Sequence, residues 1–179
     1  MSNKTFVNGY VLFECNEGKF LVDTGSPVSF SDKGGITVCG TRYSVSPQIQ
    51  GKDQLYVSNK VGVSVNGLLG MDILSRYPIV FDYANDRLSI GERLVAGTPI
   101  ESYSFMRMVG IVARVGGRSV NLLLDTGAVT NYISSEYTNG CPIVGAVEDF
   151  SPLLDYDTFK TKLYEMPMEV ADRQLTIQF

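Results

Sequence analysis

Short apolar stretches separated by turn-forming residues run along most of the chain. Tyr10–Glu14 and Lys19–Val22 are β-prone and are joined by an Asn-Glu-Gly turn, which predicts a hairpin. Met106–Val115 and Ser119–Leu124 flank a Gly-Gly pair and predict a second hairpin. Helical periodicity is scarce, and Met71–Arg76 is the best candidate for a short helix. The pattern therefore predicts a mostly-β protein.

Two of the apolar stretches lead into the same tripeptide, Asp-Thr-Gly. Residues 20–30 read Phe-Leu-Val-Asp-Thr-Gly-Ser-Pro-Val-Ser-Phe, and residues 122–133 read Leu-Leu-Leu-Asp-Thr-Gly-Ala-Val-Thr-Asn-Tyr-Ile. In both, the aspartate follows an apolar strand and the glycine turns the chain out of it. The repeat predicts two related β lobes, residues 1–91 and residues 105–179, with residues 92–104 as their connection.

The absence of histidine narrows the chemistry that the chain can perform. The chain has 179 residues, of which 44% are hydrophobic, so it can form a core, but it contains no histidine. Ser-His-Asp and Cys-His catalysis are therefore excluded, and so are histidine-ligated metal sites. Acid–base chemistry must come from carboxylates, tyrosine, lysine or cysteine.

The charge distribution argues against a nucleic-acid partner. The chain has 15 Lys and Arg residues against 19 Asp and Glu residues, which gives a net charge of -4, and it has no basic cluster. Most of the acidic excess lies between Glu148 and Asp172. Such a segment is typical of a solvated acidic face, and a preference for cationic substrates is the alternative interpretation.

Other features predict a cytoplasmic protein without a membrane partner. The first residues lack the apolar stretch of a signal peptide, and no run approaches the ~18 apolar residues that span a bilayer. Cys15, Cys39 and Cys141 are an odd number at wide spacings, without a Cys-x-x-Cys motif. This favours reduced thiols over a disulfide framework.

Two copies of Asp-Thr-Gly in matching contexts point to carboxylate chemistry. Two carboxylates within about 3 Å share a proton over a range of pH, because both cannot ionise cheaply. The ionised carboxylate can take a proton from a water molecule held between them, and the protonated one can donate to a peptide carbonyl. This reaction requires no metal and no cofactor. Two unrelated turns are the alternative, since Asp and Gly favour turns.

Here the sequence resembles the pepsin/retropepsin superfamily of aspartic proteases. Asn66–Leu74 contains Gly-Leu-Leu-Gly, which looks like the apolar-apolar-Gly segment that packs beside the Asp-Thr-Gly loop in that family. Gly67 follows Asp23 by 44 residues, and an ordinary turn into a core helix is the alternative. The resemblance covers roughly residues 5–90 and 105–179. It implies a bilobal acid-protease fold, with two pseudo-twofold-related β lobes and a short helix.

The resemblance also implies the residues of an active site. Asp23 and Asp125 would form the catalytic dyad of an aspartic endopeptidase, which hydrolyses a peptide or protein substrate bound in an extended conformation. The residues that would brace the two loops and line the floor of the cleft are Thr24, Gly25, Ser26, Thr126, Gly127 and Ala128.

The family covers its cleft with a β-hairpin flap, and the second half of the chain contains a candidate. Val147–Phe150 and Asp157–Thr161 are the predicted strands. Leu153, Leu154 and Tyr156 at the tip would close over a substrate and exclude water. A plain surface hairpin with one packed face is the alternative.

The second lobe lacks its apolar-apolar-Gly segment. By the spacing of the first lobe this segment should begin near residue 169, where Glu169–Phe179 instead reads as a pair of strands. The second lobe would then be completed by residues after Phe179 or by a partner chain, including a second copy, or it is a natural minimal form. We expect weakened activity or dependence on a partner. A non-catalytic peptide-binding or assembly module on the same fold is the alternative function.

Overall fold

The computed structural model describes residues 5–93, 97–150 and 158–179, and β-strands dominate it. In chain order the strands are β1 (Phe6–Val7), β2 (Tyr10–Cys15), β3 (Gly18–Val22), β4 (Phe30–Ser31), β5 (Gly35–Val38), β6 (Thr41–Ser44), β7 (Gly67–Leu69), β8 (Ile79–Asp82), β9 (Arg87–Ile90), β10 (Ser102–Phe105), β11 (Met108–Val115), β12 (Arg118–Leu123), β13 (Ile143–Asp149), β14 (Phe159–Val170) and β15 (Arg173–Gln178). The described helices are α1 (Gln54–Val61), α2 (Met71–Leu74) and a 3₁₀ turn at Ser135–Tyr137. The predicted mostly-β protein is confirmed.

The chain divides into two compact units that are discontinuous in sequence. The first unit runs to Thr98 and also includes Ser104–Val109 and Leu123–Val129. The second unit consists of Pro99–Tyr103, Gly110–Leu122 and the described residues from Thr130 onward. Both Asp-Thr-Gly motifs therefore lie in the first unit.

Five strands of the first unit form a sheet in the order β1-β2-β3-β7-β4. β3, which leads into the first Asp-Thr-Gly motif, lies between antiparallel β2 and parallel β7. Phe20 and Val22 on β3 are fully buried, because their side chains pack into the main core cluster with residues such as Ile36 and Leu69. Burying a side chain of this size contributes about 1.5–3 kcal/mol relative to exposure. The first motif thus follows a strand from the interior of a sheet.

The predicted hairpins are present. β2 pairs antiparallel with β3, with Leu12 opposite Leu21 and Glu14 opposite Lys19. β11 pairs with β12 across the Gly-Gly turn. Their alternating apolar positions and glycine-containing turns explain why these elements could be predicted locally.

The two α-helices differ in how clearly the sequence predicts them. α2 begins at Met71 as predicted and ends at Leu74, with three of its four side chains buried. α1 was not predicted, because Val61 is its one buried residue and the apolar periodicity is faint. It is specified by its ends: Asp53 accepts a hydrogen bond from Tyr56 N–H at 3.0 Å, and Gly62 follows it in the left-handed region. No helix among the described residues is long and apolar enough to cross a bilayer.

The β5–β6 hairpin is part of the core of the first unit. Ile36 and Val38 are fully buried. The Glu17 carboxylate accepts hydrogen bonds from the Thr37 hydroxyl at 2.7 Å and the Thr37 N–H at 3.2 Å. Hydrogen bonds from Thr37 and then from Cys15 lower the pKa of Glu17 to about 2. The side chains that form the main core cluster are Val11, Phe20, Val22, Ile36, Val38, Leu69, Met71, Ile73, Leu74 and Met108.

In the second unit, β14 is the longest described strand, and it pairs with three strands, β11, β13 and β15. Its first part pairs with β13, with Val147 opposite Thr161 and Asp149 opposite Phe159, so the hairpin predicted in this region is present. The proposed tip residues Leu153, Leu154 and Tyr156 lie outside the described residues.

The last part of β14 pairs with β15, which confirms the strand pair predicted in Glu169–Phe179. Glu169 lies opposite Gln174, and the turn between the strands places Ala171 in the left-handed region. The buried side chains that form the core of this unit are Ala113, Val115, Val120, Met166 and Phe179.

Candidate functional site

The first Asp-Thr-Gly loop is held by the segment that includes β7 and the start of α2. The Asp23 N–H donates to the Leu69 carbonyl oxygen at 3.0 Å, and the Met71 N–H donates to the Ser26 carbonyl oxygen at 2.8 Å. Within the loop, the Gly25 N–H donates to Asp23 Oδ1 at 2.9 Å. The Gly-Leu-Leu-Gly segment therefore fixes the loop on both sides of the aspartate.

The side chains of Ser29 and Asp72 also join the first loop to the start of α2. Ser29 is buried, and its hydroxyl accepts a hydrogen bond from the Gly70 N–H at 2.8 Å. The same hydroxyl donates to Asp72 Oδ1 at 2.5 Å. The contact spans more than 40 residues of sequence, so it stabilises the tertiary position of the loop rather than its local turn.

The second Asp-Thr-Gly loop repeats the glycine-to-aspartate hydrogen bond of the first, but fewer hydrogen bonds hold it among the described residues. The Leu124 N–H donates to the Val109 carbonyl oxygen at 2.9 Å, which anchors the loop to β11. The Gly127 N–H donates to Asp125 Oδ1 at 2.9 Å, the same distance as in the first loop. Among the described residues, the Asp125 N–H has no hydrogen-bond partner that would correspond to Leu69.

The two loops are joined by a reciprocal set of hydrogen bonds through their threonines. The Thr24 hydroxyl donates to the Leu124 carbonyl oxygen at 2.7 Å, and the Thr126 hydroxyl donates to the Val22 carbonyl oxygen at 2.8 Å. Each hydroxyl also accepts from the facing backbone, with 3.0 Å from Thr126 N–H to Thr24 Oγ1 and 3.1 Å from Thr24 N–H to Thr126 Oγ1. The four bonds are reciprocal, because each threonine makes the same pair of contacts with the facing loop.

The glycines allow the two carboxyl groups to approach each other. A side chain at Gly25 would place its Cβ under 3.0 Å from the carboxyl group of Asp125, and one at Gly127 would lie equally close to that of Asp23. Each carboxyl group thus lies over the glycine of the opposite loop while it accepts the N–H of its own. Only glycine leaves this space open.

The electrostatics of Asp23 follow from this arrangement. Burial, the neighbouring charge of Asp125 and a hydrogen bond between the two carboxyl groups together raise the pKa of Asp23 to about 7. Asp23 is partly buried, whereas Asp125 is exposed. The pair can therefore hold one proton between two carboxylates over a range of pH where an isolated aspartate would be ionised.

The remaining predicted site residues have simpler surroundings. Ser26 and Ala128 follow the two glycines and are partly buried, and the Ser26 hydroxyl donates to the Val28 carbonyl oxygen at 2.8 Å. No cluster of three or more Cys, Asp or Glu side chains that could hold a metal ion occurs within the described residues.

Sequence reasoning missed the groups that complete the site. The carbonyl oxygens of Val22 and Leu124 receive the threonine hydroxyls, and backbone acceptors leave no sequence signal. Ser29 and Asp72 have a weak signal, because each is a polar residue between two apolar ones: Val28 and Phe30 flank Ser29, and Met71 and Ile73 flank Asp72.

The chain matched none of the known proteins with which it was compared. No family model, no curated protein and no solved structure is significantly similar to it.

Proposed function

We propose that this protein is an aspartic endopeptidase, with Asp23 and Asp125 as its catalytic dyad. The observation that carries the proposal is the placement of the two carboxyl groups, each against the glycine of the opposite Asp-Thr-Gly loop, with the loops joined through their threonines. The finer fold that accompanies the proposal is a bilobal, pepsin/retropepsin-like one, with the two motifs related by a pseudo-twofold axis.

The shared proton supplies both halves of the chemistry. The ionised carboxylate would take a proton from a water molecule between the aspartates, and the resulting oxygen would attack the carbonyl carbon of the substrate. The other carboxyl group would donate its proton to the carbonyl oxygen, which gives a neutral tetrahedral intermediate. Return of a proton to the amide nitrogen then allows the C–N bond to break, which releases a carboxylic acid and an amine.

The surrounding residues support this role by holding the carboxyl groups in place. The N–H groups of Gly25 and Gly127 each donate to one carboxyl oxygen at 2.9 Å, which orients both carboxyl groups and leaves their other oxygens available. The threonine hydrogen bonds between the loops would preserve the separation of the aspartates during the reaction.

The substrate class follows from the same chemistry. A peptide in an extended conformation presents its carbonyl groups without internal hydrogen bonds, so a scissile carbonyl could reach both carboxyl groups. A cytoplasmic location is part of the proposal and is supported by Cys15, Cys39 and Cys141, all of which are free thiols.

Replacement of each aspartate tests the proposal. Asp23→Asn and Asp125→Asn should each reduce cleavage of a mixed peptide library by at least about a hundredfold, because either variant removes the shared-proton pair. Asp172→Asn, at an exposed turn, is the matched control and should cleave normally. Cleavage by the parent chain should fall as pH rises past about 7, where Asp23 loses its proton. Undiminished cleavage in either dyad variant would refute the proposed mechanism.

A second candidate function is a non-catalytic module that binds extended peptides or assembles with a partner chain. The specific observation in its favour is the exposed second loop, whose Asp125 N–H lacks a partner among the described residues. This candidate predicts peptide binding without turnover, and a larger mass when the partner is added. Cleavage that a statine-type transition-state mimic blocks would exclude it.

A further inference from the structure

The strands that lead into the two motifs, β3 and β12, differ in how their edges are paired. β3 has β2 on one edge and parallel β7 on the other. β12 pairs with β11, and no strand among the described residues pairs with its other edge. Leu123 is also 44% exposed, whereas Leu21, at the equivalent position of the repeat, is 4% exposed within a cluster that includes Phe30, Val61 and Leu68. The next pair, Leu124 and Val22, are 41% and 0% exposed.

The backbone at this open edge is oriented to receive another strand. The Leu124 N–H points toward β11, where it donates to Val109. Successive N–H groups of an extended chain point to opposite sides, so those of Leu123 and Asp125 point away from β11. An edge with exposed leucines and outward N–H groups is suited to strand addition.

The pairing of β7 with β3 shows which kind of segment can pair with such an edge. β7 runs parallel to β3 with Leu68 beside Leu21 and Leu69 beside Val22, and the Leu69 carbonyl oxygen accepts the Asp23 N–H. The glycine that follows is required, because a Cβ at Gly70 would lie under 3.0 Å from the backbone of the loop after the motif. The segment that pairs with β3 has the pattern Gly-apolar-apolar-Gly, and we expect the same pattern in a segment that pairs with β12.

We propose that the open edge from Leu123 to Asp125 binds a Gly-apolar-apolar-Gly segment of a partner polypeptide in parallel register. Its apolar residues would lie beside Leu123 and Leu124, and the carbonyl oxygen of the second one would accept the Asp125 N–H. A second folded copy of this chain is not the source, because its own segment is already used: Leu69 is fully buried within β7. The binding does not depend on the proposed peptidase activity. Its relevance to catalysis by Asp125 rests on that proposed function.

Binding of a synthetic peptide tests the proposal. The probe is a fluorescent peptide with the sequence of residues 66–76, and the control is a peptide of the same composition in scrambled order. The probe should bind saturably and the scrambled peptide should not. Leu123→Lys should weaken binding by about tenfold or more, since it removes a buried apolar contact. Leu175→Lys replaces a leucine of similar exposure, 45%, on β15, and should leave the affinity unchanged.

Amide hydrogen exchange gives a second readout at the proposed bond. Peptide binding should slow exchange of the Asp125 N–H by at least about tenfold and leave the Asp23 N–H, which already has a partner, unchanged. Equal binding to Leu123→Lys, or unchanged exchange at Asp125, would overturn the proposal. Protection that instead rises with protein concentration alone, together with a doubled mass, would replace it with self-association. Loss of cleavage in the dyad variants has no bearing on these binding results, so the two proposals can fail separately.

Discussion

The two Asp-Thr-Gly loops have nearly the same hydrogen bonds but lie in different surroundings. In both, the glycine N–H donates to the aspartate at 2.9 Å, and the threonine hydroxyl donates to a carbonyl of the facing loop at 2.7 or 2.8 Å. The first loop follows a strand paired on both edges, whereas the second follows a strand that, within the described part of the chain, is paired on one edge. The shared tripeptide therefore accounts for the hydrogen bonds that the loops have in common, and the side chains packed around the leading strand account for the burial of the first one.

This difference has a chemical consequence, because the two aspartates are not equivalent. Asp23 is partly buried, and burial is the main reason for its raised pKa. Asp125 is exposed to solvent. A dyad with one sheltered carboxyl group would hold its shared proton preferentially on the sheltered side.

The largest expected difference between the two regions is in the stability contributed by equivalent leucines. Leu21→Ala removes a side chain that is 4% exposed and should lower the free energy of unfolding by about 2–5 kcal/mol. Leu123→Ala removes one that is 44% exposed and should cost less than about 1 kcal/mol. Urea denaturation of both variants measures the contrast. Similar costs would mean that the edge of β12 is covered in solution.

The dyad should also make stability depend on pH in a defined window. Asp23 has a pKa of about 7 in the folded chain against 3.8 when exposed, so the folded chain retains a proton that the unfolded chain has lost. The free energy of unfolding should therefore decrease as pH rises from about 4 to about 7, by at most about 1.4 kcal/mol per pH unit for one proton. Asp23→Asn should remove this decrease.

Glu17 separates this effect from ordinary acid denaturation. Its pKa is lowered from 4.5 to about 2, so the stability that it contributes is present above pH 4.5 and is lost as pH falls toward 2. The two groups thus act in different windows with opposite signs. A decrease between pH 4 and 7 that persists in Asp23→Asn would contradict the assignment to the dyad.

What could be predicted from the sequence depended on how local each signal is. The β2–β3 hairpin and the start of α2 at Met71 follow from apolar periodicity and turn residues within a few positions. α1 escaped prediction because its contribution to the core is one residue, Val61. The Ser29–Asp72 contact joins residues more than 40 positions apart, and no local pattern encodes it.

The repeat made the two aspartates identifiable, but it could not predict their unequal exposure. Two identical tripeptides have the same exposure only if the same elements pack around both of them. The spacing predicts that the second lobe lacks a counterpart of β7, and among the described residues no strand pairs with the outer edge of β12, where Leu123 and Leu124 are exposed. Burial depends on which strands assemble around a segment, so it is a property of the tertiary fold rather than of the motif.

Thr24 and Thr126 should contribute equally to the free energy of unfolding, because their hydrogen bonds are reciprocal. In this they differ from Leu21 and Leu123. Thr24→Val and Thr126→Val each remove one donor and one acceptor and should each cost about 1–3 kcal/mol. Thr→Ser at either position keeps the hydroxyl and should cost less. Each hydroxyl takes part in two of the four bonds, and all four join the same two loops, so the double valine variant should lose less than the sum of the single losses. Additive losses in denaturation experiments would show that the loops are held independently.

The smallest expected difference in the free energy of unfolding concerns Ser29 and Asn131, which lie six positions after Asp23 and Asp125. Ser29 is buried and links Gly70 to Asp72, so Ser29→Ala leaves a backbone N–H and a carboxylate without their partner and should cost about 1–2 kcal/mol. Asn131 is exposed and donates from its side chain to the Gln178 carbonyl oxygen at 3.0 Å. Asn131→Ala should therefore change the free energy of unfolding by less than about 0.5 kcal/mol, because water replaces the lost partner.

Because the Ser29 contact lies beside the first loop, its loss should also reduce peptide cleavage through kcat more than through KM. Ser29→Thr, which keeps the hydroxyl, should restore part of the cleavage. If Asn131→Ala destabilised the chain as much as Ser29→Ala, both loops would depend equally on this position, and the contrast drawn between them would not extend beyond the strands that precede the motifs.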